Sequence, residues 1–205
     1  MNKKIIATIM SLILVIGLCS CGGPTPTETV DSFLTAVKSS DAETIKTVYS
    51  DDSFEFLDEI SGSESDDEFD KELTEKLVPK IIDFDYELSN EKIDGDKATV
   101  DVTFTTYNIG TALTSFMTEY FSQALALAFS DTSDEQMEKI AETLFKSKLD
   151  SMEKNYTDTV TVSLTKKDNT WVIDEFAEQG DFYDAFLGGA ITAVKDLEEA
   201  YDFEE

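Results

Sequence analysis

Histidine and arginine are both missing from this 205-residue chain, and all 16 of its basic residues are lysine. Without histidine there is no Ser-His-Asp or Cys-His machinery, and the usual zinc and copper sites have no imidazole ligand. Without arginine there is no bidentate clamp for phosphate or carboxylate. Any catalysis falls to carboxylates, tyrosine, serine, threonine or lysine, and no catalytic residue, metal ligand or cofactor is assigned. Positive charge is scarce as well. Acidic residues number 44, the formal net charge is −28, and the pI is near 4.1. Such a body repels phosphate backbones and anionic lipid headgroups, so nucleic acid is not an expected partner, and the domain is expected to stand off a membrane surface. The only cysteines are Cys19 and Cys21, near the amino terminus.

Lys3 and Lys4 precede an apolar run, Ile5 to Leu18, that is too short for a comfortable transmembrane helix and about right for a signal-peptide core. It ends in Leu18-Cys19-Ser20-Cys21, followed by Gly22-Gly23-Pro24-Thr25-Pro26. This resembles the bacterial lipobox, with an aliphatic residue at −3 and a small one at −1 before the lipidated cysteine. The resemblance implies a lipoprotein signal peptide over 1–20 and lipidation, palmitate included, on Cys21. Residues 21–28 would then form the lipidated tether, and the product would be held on the extracytoplasmic face of the cell membrane. Cys19 fits worse, because Leu18 would then fill the small-residue position. Cys19 leaves with the signal and Cys21 is consumed by its thioether, so no disulfide supports the mature chain. Cleavage also removes Lys3 and Lys4, taking the net charge from −28 to −30. The remainder, 29–205, is ample for one domain with a sizeable core.

Val30, Phe33, Leu34 and Val37 recur at helical spacing and predict a first amphipathic helix. Ser39-Ser40-Asp41 breaks it, and Ser40 with Glu43 predicts a capping box for a second, carrying Ile45, Val48 and Tyr49. Phe54, Phe56, Leu57 and Ile60 lead into a polar loop. A third helix is expected from about Asp66 to Leu77, ending near Pro79. The period then changes to two. Ile82, Phe84, Tyr86 and Leu88, then Ala98, Val100, Val102 and Phe104, predict a hairpin around Asp94-Gly95-Asp96. Val160, Val162 and Leu164, a Lys167–Thr170 turn and Trp171-Val172-Ile173-Asp174 predict a second. Between them lie two helices. Leu113, Phe116, Met117, Tyr120, Phe121 and Leu127 mark one. A Ser133/Gln136 capping box opens the other, with Met137, Ile140, Leu144, Phe145 and Leu149. A last helix is predicted over about Phe182 to Tyr201, with Gly188-Gly189 inside it.

The pattern is α+β: N-terminal helices on an antiparallel sheet of about four strands, a helical-pair insertion at 110–155, and a C-terminal helix. The run Thr29 to Lys38, then Ser40-Asp41-Ala42-Glu43, with Trp171-Val172-Ile173-Asp174 near the end, resembles the nuclear transport factor 2-like superfamily. More narrowly, it is similar to lipoproteins of low-GC Gram-positive bacteria that carry this cone behind a lipobox. The resemblance spans roughly 28–109 and 156–177, and the insertion departs from the plain cone. It implies a curved sheet and helices enclosing an apolar cavity, used for catalysis by some members and only for binding by many. Tyr86, Phe104 and Trp171, with Phe84, are the candidate pocket lining, or else plain core. Members resembling ketosteroid isomerases need a carboxylate and a phenol or acid inside the cavity. Here Asp83, Asp85, Glu87 and Asp101 fall on the opposite, outward face, so no such pair is carried over.

Glu64, Asp66, Asp67, Glu68 and Asp70 form an acidic cluster without the ligand spacing of an EF-hand, and read as a solvated loop and helix start. The insertion is the most individual feature. Ala124 to Phe129 is apolar nearly all round, so this helix is either sandwiched in the domain or shown to a partner. The functional expectation is a tethered, non-catalytic domain binding a small apolar ligand or an envelope protein. The alternatives are a cone-fold enzyme with a carboxylate base, and an interaction or self-association lipoprotein working through the insertion.

Overall fold

The structure, a computed structural model, describes residues 23–50, 68–128 and 133–201. The expected signal peptide, Cys21, the apolar set Phe54 to Ile60, and Glu64, Asp66 and Asp67 of the acidic cluster lie outside the described residues.

Helix α1, Pro26–Ser39, opens on a capping box that the sequence reading missed. The Thr25 hydroxyl accepts from Glu28 N–H, and the Glu28 carboxylate accepts from Thr25 N–H. Its predicted stripe of Val30, Phe33, Leu34 and Val37 is buried. The capping box expected at Ser40 does not form. Ser40 is the left-handed residue that closes α1, at φ 53°, and its N–H is turned back onto the carbonyls of that helix. Asp41 caps helix α2, Ala42–Val48, instead, its carboxylate accepting from the Thr44 N–H and hydroxyl.

Helix α3, Glu68–Ile82, runs through Pro79 rather than ending before it. A proline this close to the C-terminus costs one backbone bond. The turn it permits seats Ile81 in the core and lets Asp83 N–H close on the Pro79 carbonyl. Ile82, expected in the strand, is therefore helical. The alternation starts with Phe84.

The sheet is a four-stranded antiparallel meander in the order β1-β2-β3-β4: β1 Asp85–Asp94, β2 Lys97–Thr106, β3 Tyr156–Lys167 and β4 Thr170–Ile173. Gly95-Asp96 makes the first hairpin turn. Asp168 and Asn169, both at positive φ, make the second in the manner of a type I′ turn. The inner face carries Val100, Val102, Phe104, Val160, Val162, Leu164, Trp171 and Ile173, all buried. The outer face is hydroxylated, with Thr103 bonded to Thr159 across the β2–β3 pair.

Between the hairpins stand α4, Ile109–Leu127, and α5, Asp134–Ser151. The predicted capping box of Ser133 and Gln136 opens α5. The expected single C-terminal helix is two: α6, Asp181–Phe186, and α7, Ala190–Tyr201. Gly188 and Gly189 both take positive φ and break it. The core is one cluster drawn from α1, α2, Ile81 of α3, the sheet's inner face and α6.

Candidate functional site

The space between the sheet and α1 is where a cone fold would hold a ligand, and here aromatic rings occupy it. Phe84, Phe104 and Phe186 meet one another edge-on at 5.2–6.0 Å. Phe33 stacks on Tyr49 at 5.5 Å, and Phe176 lies flat on Phe182 at 3.7 Å. Phe33, Phe84, Phe104 and Phe186 are all fully buried. This packing follows from the sequence. Phe33 comes from the α1 stripe, Phe84 and Phe104 from the inner strand positions, and Phe182 and Phe186 from one side of α6.

The three candidate lining residues do not form one site. Tyr86 and Phe104 are cross-strand partners on β1 and β2. Trp171 sits on the opposite edge strand, at the other end of the sheet, paired with Lys166. Phe104 is enclosed by Phe84, Phe182 and Phe186. Trp171 is buried under the Lys166 ammonium, 5.4 Å from its ring. Tyr86 is half-buried against α1. Its phenol donates to Asp31 at 2.7 Å, with Thr35 at 3.3 Å. Burial, with the negative charge of Asp31, pushes the Tyr86 phenol above its ordinary value, the Thr35 bond opposing.

The carboxylates fall on the wet side. Asp101 accepts from Asn90 and Thr161, bonds that hold it below the usual carboxylate range. Asp83 is held low by its hydrogen bond with Lys154, which also pairs with Asp85. A general base needs the reverse shift, so neither is poised for proton abstraction. Among the described residues, no group of three or more His, Cys, Asp or Glu side chains is placed to hold a metal ion.

The insertion has a different character. Helix α4 stands on Gly110, where a Cβ would come within 2.3 Å of the Gly189 carbonyl oxygen. At Gly188, whose φ is 60°, a Cβ would come within 1.9 Å of the Tyr107 carbonyl oxygen. These contacts seat the base of α4 against the α6–α7 turn. Beyond Gly110, α4 has no buried residue. Leu113, Phe116, Met117, Tyr120, Phe121 and Leu127 are half-buried, and Leu125 is 71% exposed. Phe116 meets Phe145 of α5 edge-on at 5.3 Å, Lys148 pairs with Glu119, and Lys76 of α3 pairs with Asp150 at 2.8 Å. The helical pair is attached at its base and along one side. Its apolar surface is only partly covered.

Two clefts of about 230 and 350 Å³ flank the base of α4 and share Asn108, Thr111 and Ser115. Some of their polar groups are committed to the fold. Asn108 caps α4 by accepting from Thr111, and both Asp184 oxygens accept from Thr192 at the start of α7. The two glycines of the α6–α7 break were the only sign of this region in the sequence.

No protein-family model and no curated protein matches the chain. Among solved structures, a "putative lipoprotein (ycdA)" of Bacillus subtilis is similar at 16% identity and a TM-score of 0.39, over 82% of this chain and 48% of that one. This chain therefore spans about half the length of that protein, and a likeness at this level establishes neither fold family nor function. Among the described residues, no helix is long and apolar enough to cross a membrane.

Proposed function

We propose that the chain is an extracytoplasmic lipoprotein, anchored through Cys21, whose domain is a non-catalytic module that binds an envelope protein through the α4–α5 pair. The observation that carries this is the contrast between two surfaces. The ring-filled space behind the sheet leaves a ligand little room, while α4 leaves Leu125 exposed beside a row of apolar side chains that are only half-covered. The arrangement of helices before an antiparallel meander supports a nuclear transport factor 2-like cone whose cavity has been given over to core.

A photo-crosslinking residue at position 125 of the anchored chain tests the reading. A discrete protein adduct is expected there and none from Thr161 on the outer sheet face. The reading fails if position 125 gives no adduct while an apolar dye binds stoichiometrically and perturbs Phe104 and Phe186 resonances.

A further inference from the structure

We infer that the end of the sheet carrying both hairpin turns is a membrane-facing surface, held against lipid headgroups by the anchor itself; this rests on lipidation at Cys21. Gly23 packs beside the β3–β4 turn, where a Cβ would lie 3.6 Å from the Asn169 carbonyl oxygen. Gly22 alone lies between Gly23 and Cys21, and two Cα–Cα steps reach at most about 7 Å. That is comparable to the headgroup layer of one leaflet, about 5–7 Å thick. Helix α1 begins only three residues beyond Gly23, and Thr27 bonds to Glu91 of β1, so the tether has no slack on its protein side. The expectation that the domain stands off the bilayer on its linker is therefore replaced. The β3–β4 turn sits at the lipid surface.

The surface chemistry of this end agrees with that placement. The Lys166 N–H bonds to the Asp96 carbonyl and holds the two turns side by side. Residues 92–97 and 166–171 carry four lysines against three aspartates, in a chain of net −28. Of the nearest acids, Glu91 is bonded to Thr27, and Asp174 is bonded to Thr165 and paired with Lys97. Ile93, 56% exposed, stands beside Lys92 and Lys97 at the rim of a cleft of about 300 Å³. A near-neutral end with long lysine side chains and one exposed isoleucine suits a bilayer interface, in a chain that is otherwise strongly acidic.

The acylated mature chain in vesicles, labelled at a single engineered cysteine, tests this. Thr170→Cys marks the turn, and Thr157→Cys marks the far end of β3, about 30 Å away. A quencher on the lipid headgroup should quench the Thr170 label severalfold more than the Thr157 label, in phosphatidylcholine and phosphatidylglycerol vesicles alike. Lys92→Glu with Lys167→Glu should reduce that contrast in phosphatidylglycerol only. Equal quenching at both positions of a chain shown by mass to be acylated overturns the orientation and leaves anchoring intact. A contrast untouched by the double charge reversal removes the lysines from the contact. A native chain carrying no acyl group on Cys21 removes the anchoring reading and the orientation together.

Discussion

Thr106 occupies the last inner-face position of β2, after Val100, Val102 and Phe104, and its hydroxyl is buried without a hydrogen-bond partner. An unmet hydroxyl in an apolar setting is a cost that an isosteric methyl would not carry. Thr106→Val should therefore raise stability by about 1 kcal/mol in urea unfolding, and a loss of that size would mean the hydroxyl is satisfied. Tyr86 gives a residue-scale test in pH. Its folded value is raised, so the stability it contributes is present below the unfolded tyrosine value and is lost as pH climbs through the folded one. Asp31→Asn removes both the acceptor charge and the coulombic cause. Ultraviolet titration should then show one tyrosine moving down toward the ordinary range, and an unchanged profile would sever the Tyr86–Asp31 link. Trp171, buried at the end of the short β4, should lose about 3–5 kcal/mol on replacement by alanine, as core aromatics do.

At the scale of elements, the informative failure is the first helix boundary. Ser40 and Glu43 satisfy the capping-box spacing, yet Ser40 carries a left-handed backbone that ends α1. Capping depends on which residue leaves the preceding helix in the extended region, and a three-residue spacing is blind to that. Ser40→Gly should accordingly be neutral or slightly stabilising, whereas Asp41→Ala should cost about 1 kcal/mol, both read as shifts in melting temperature. The reverse order would restore Ser40 as the cap. The C-terminal break has a similar origin. Phe182 and Phe186 keep helical spacing, as do Ile191 and Val194, but Gly188 and Gly189 between them take positive φ, and Gly188 packs so close to the Tyr107 carbonyl that a Cβ there would clash. Pro79 errs in the other direction. Its penalty is local, and burial of Ile81 outweighs it.

For the whole molecule, charge decides more than any single bond. A chain with a net charge of −28 repels itself, and its exposed ion pairs contribute little at physiological salt. Melting temperature should rise as monovalent salt goes from about 0.01 to 0.15 M, because the screening length falls from about 30 to 8 Å. Millimolar calcium should add little beyond its ionic strength. A large calcium-specific rise would assign a site to the acidic stretch between Glu64 and Asp70. Acid acts oppositely on the paired carboxylates. The Asp83 and Asp101 values lie below their unfolded ones, so the stability they contribute holds above the unfolded carboxylate range and is lost as pH falls through the folded values.

The sequence by itself determined the α+β class, the two hairpins and which face of each strand is dry, though not the register shift in β1 between Ser89 and Lys92. Each of these follows from a short repeat of two or 3.6 residues, and a one-residue slip would bury Asp85, Glu87 and Asp101 together. The Ser133 cap and the outward carboxylates were legible for the same reason: they are local. Tertiary structure alone decided whether Tyr86, Phe104 and Trp171 meet, since the same alternation serves a hollow cone or a filled one. It separated Tyr86 from Trp171 by the full width of the sheet and closed rings from α6 over Phe104. It likewise left α4 half-covered and brought Gly23 to Asn169, because contacts between residues far apart in the chain depend on how whole elements dock.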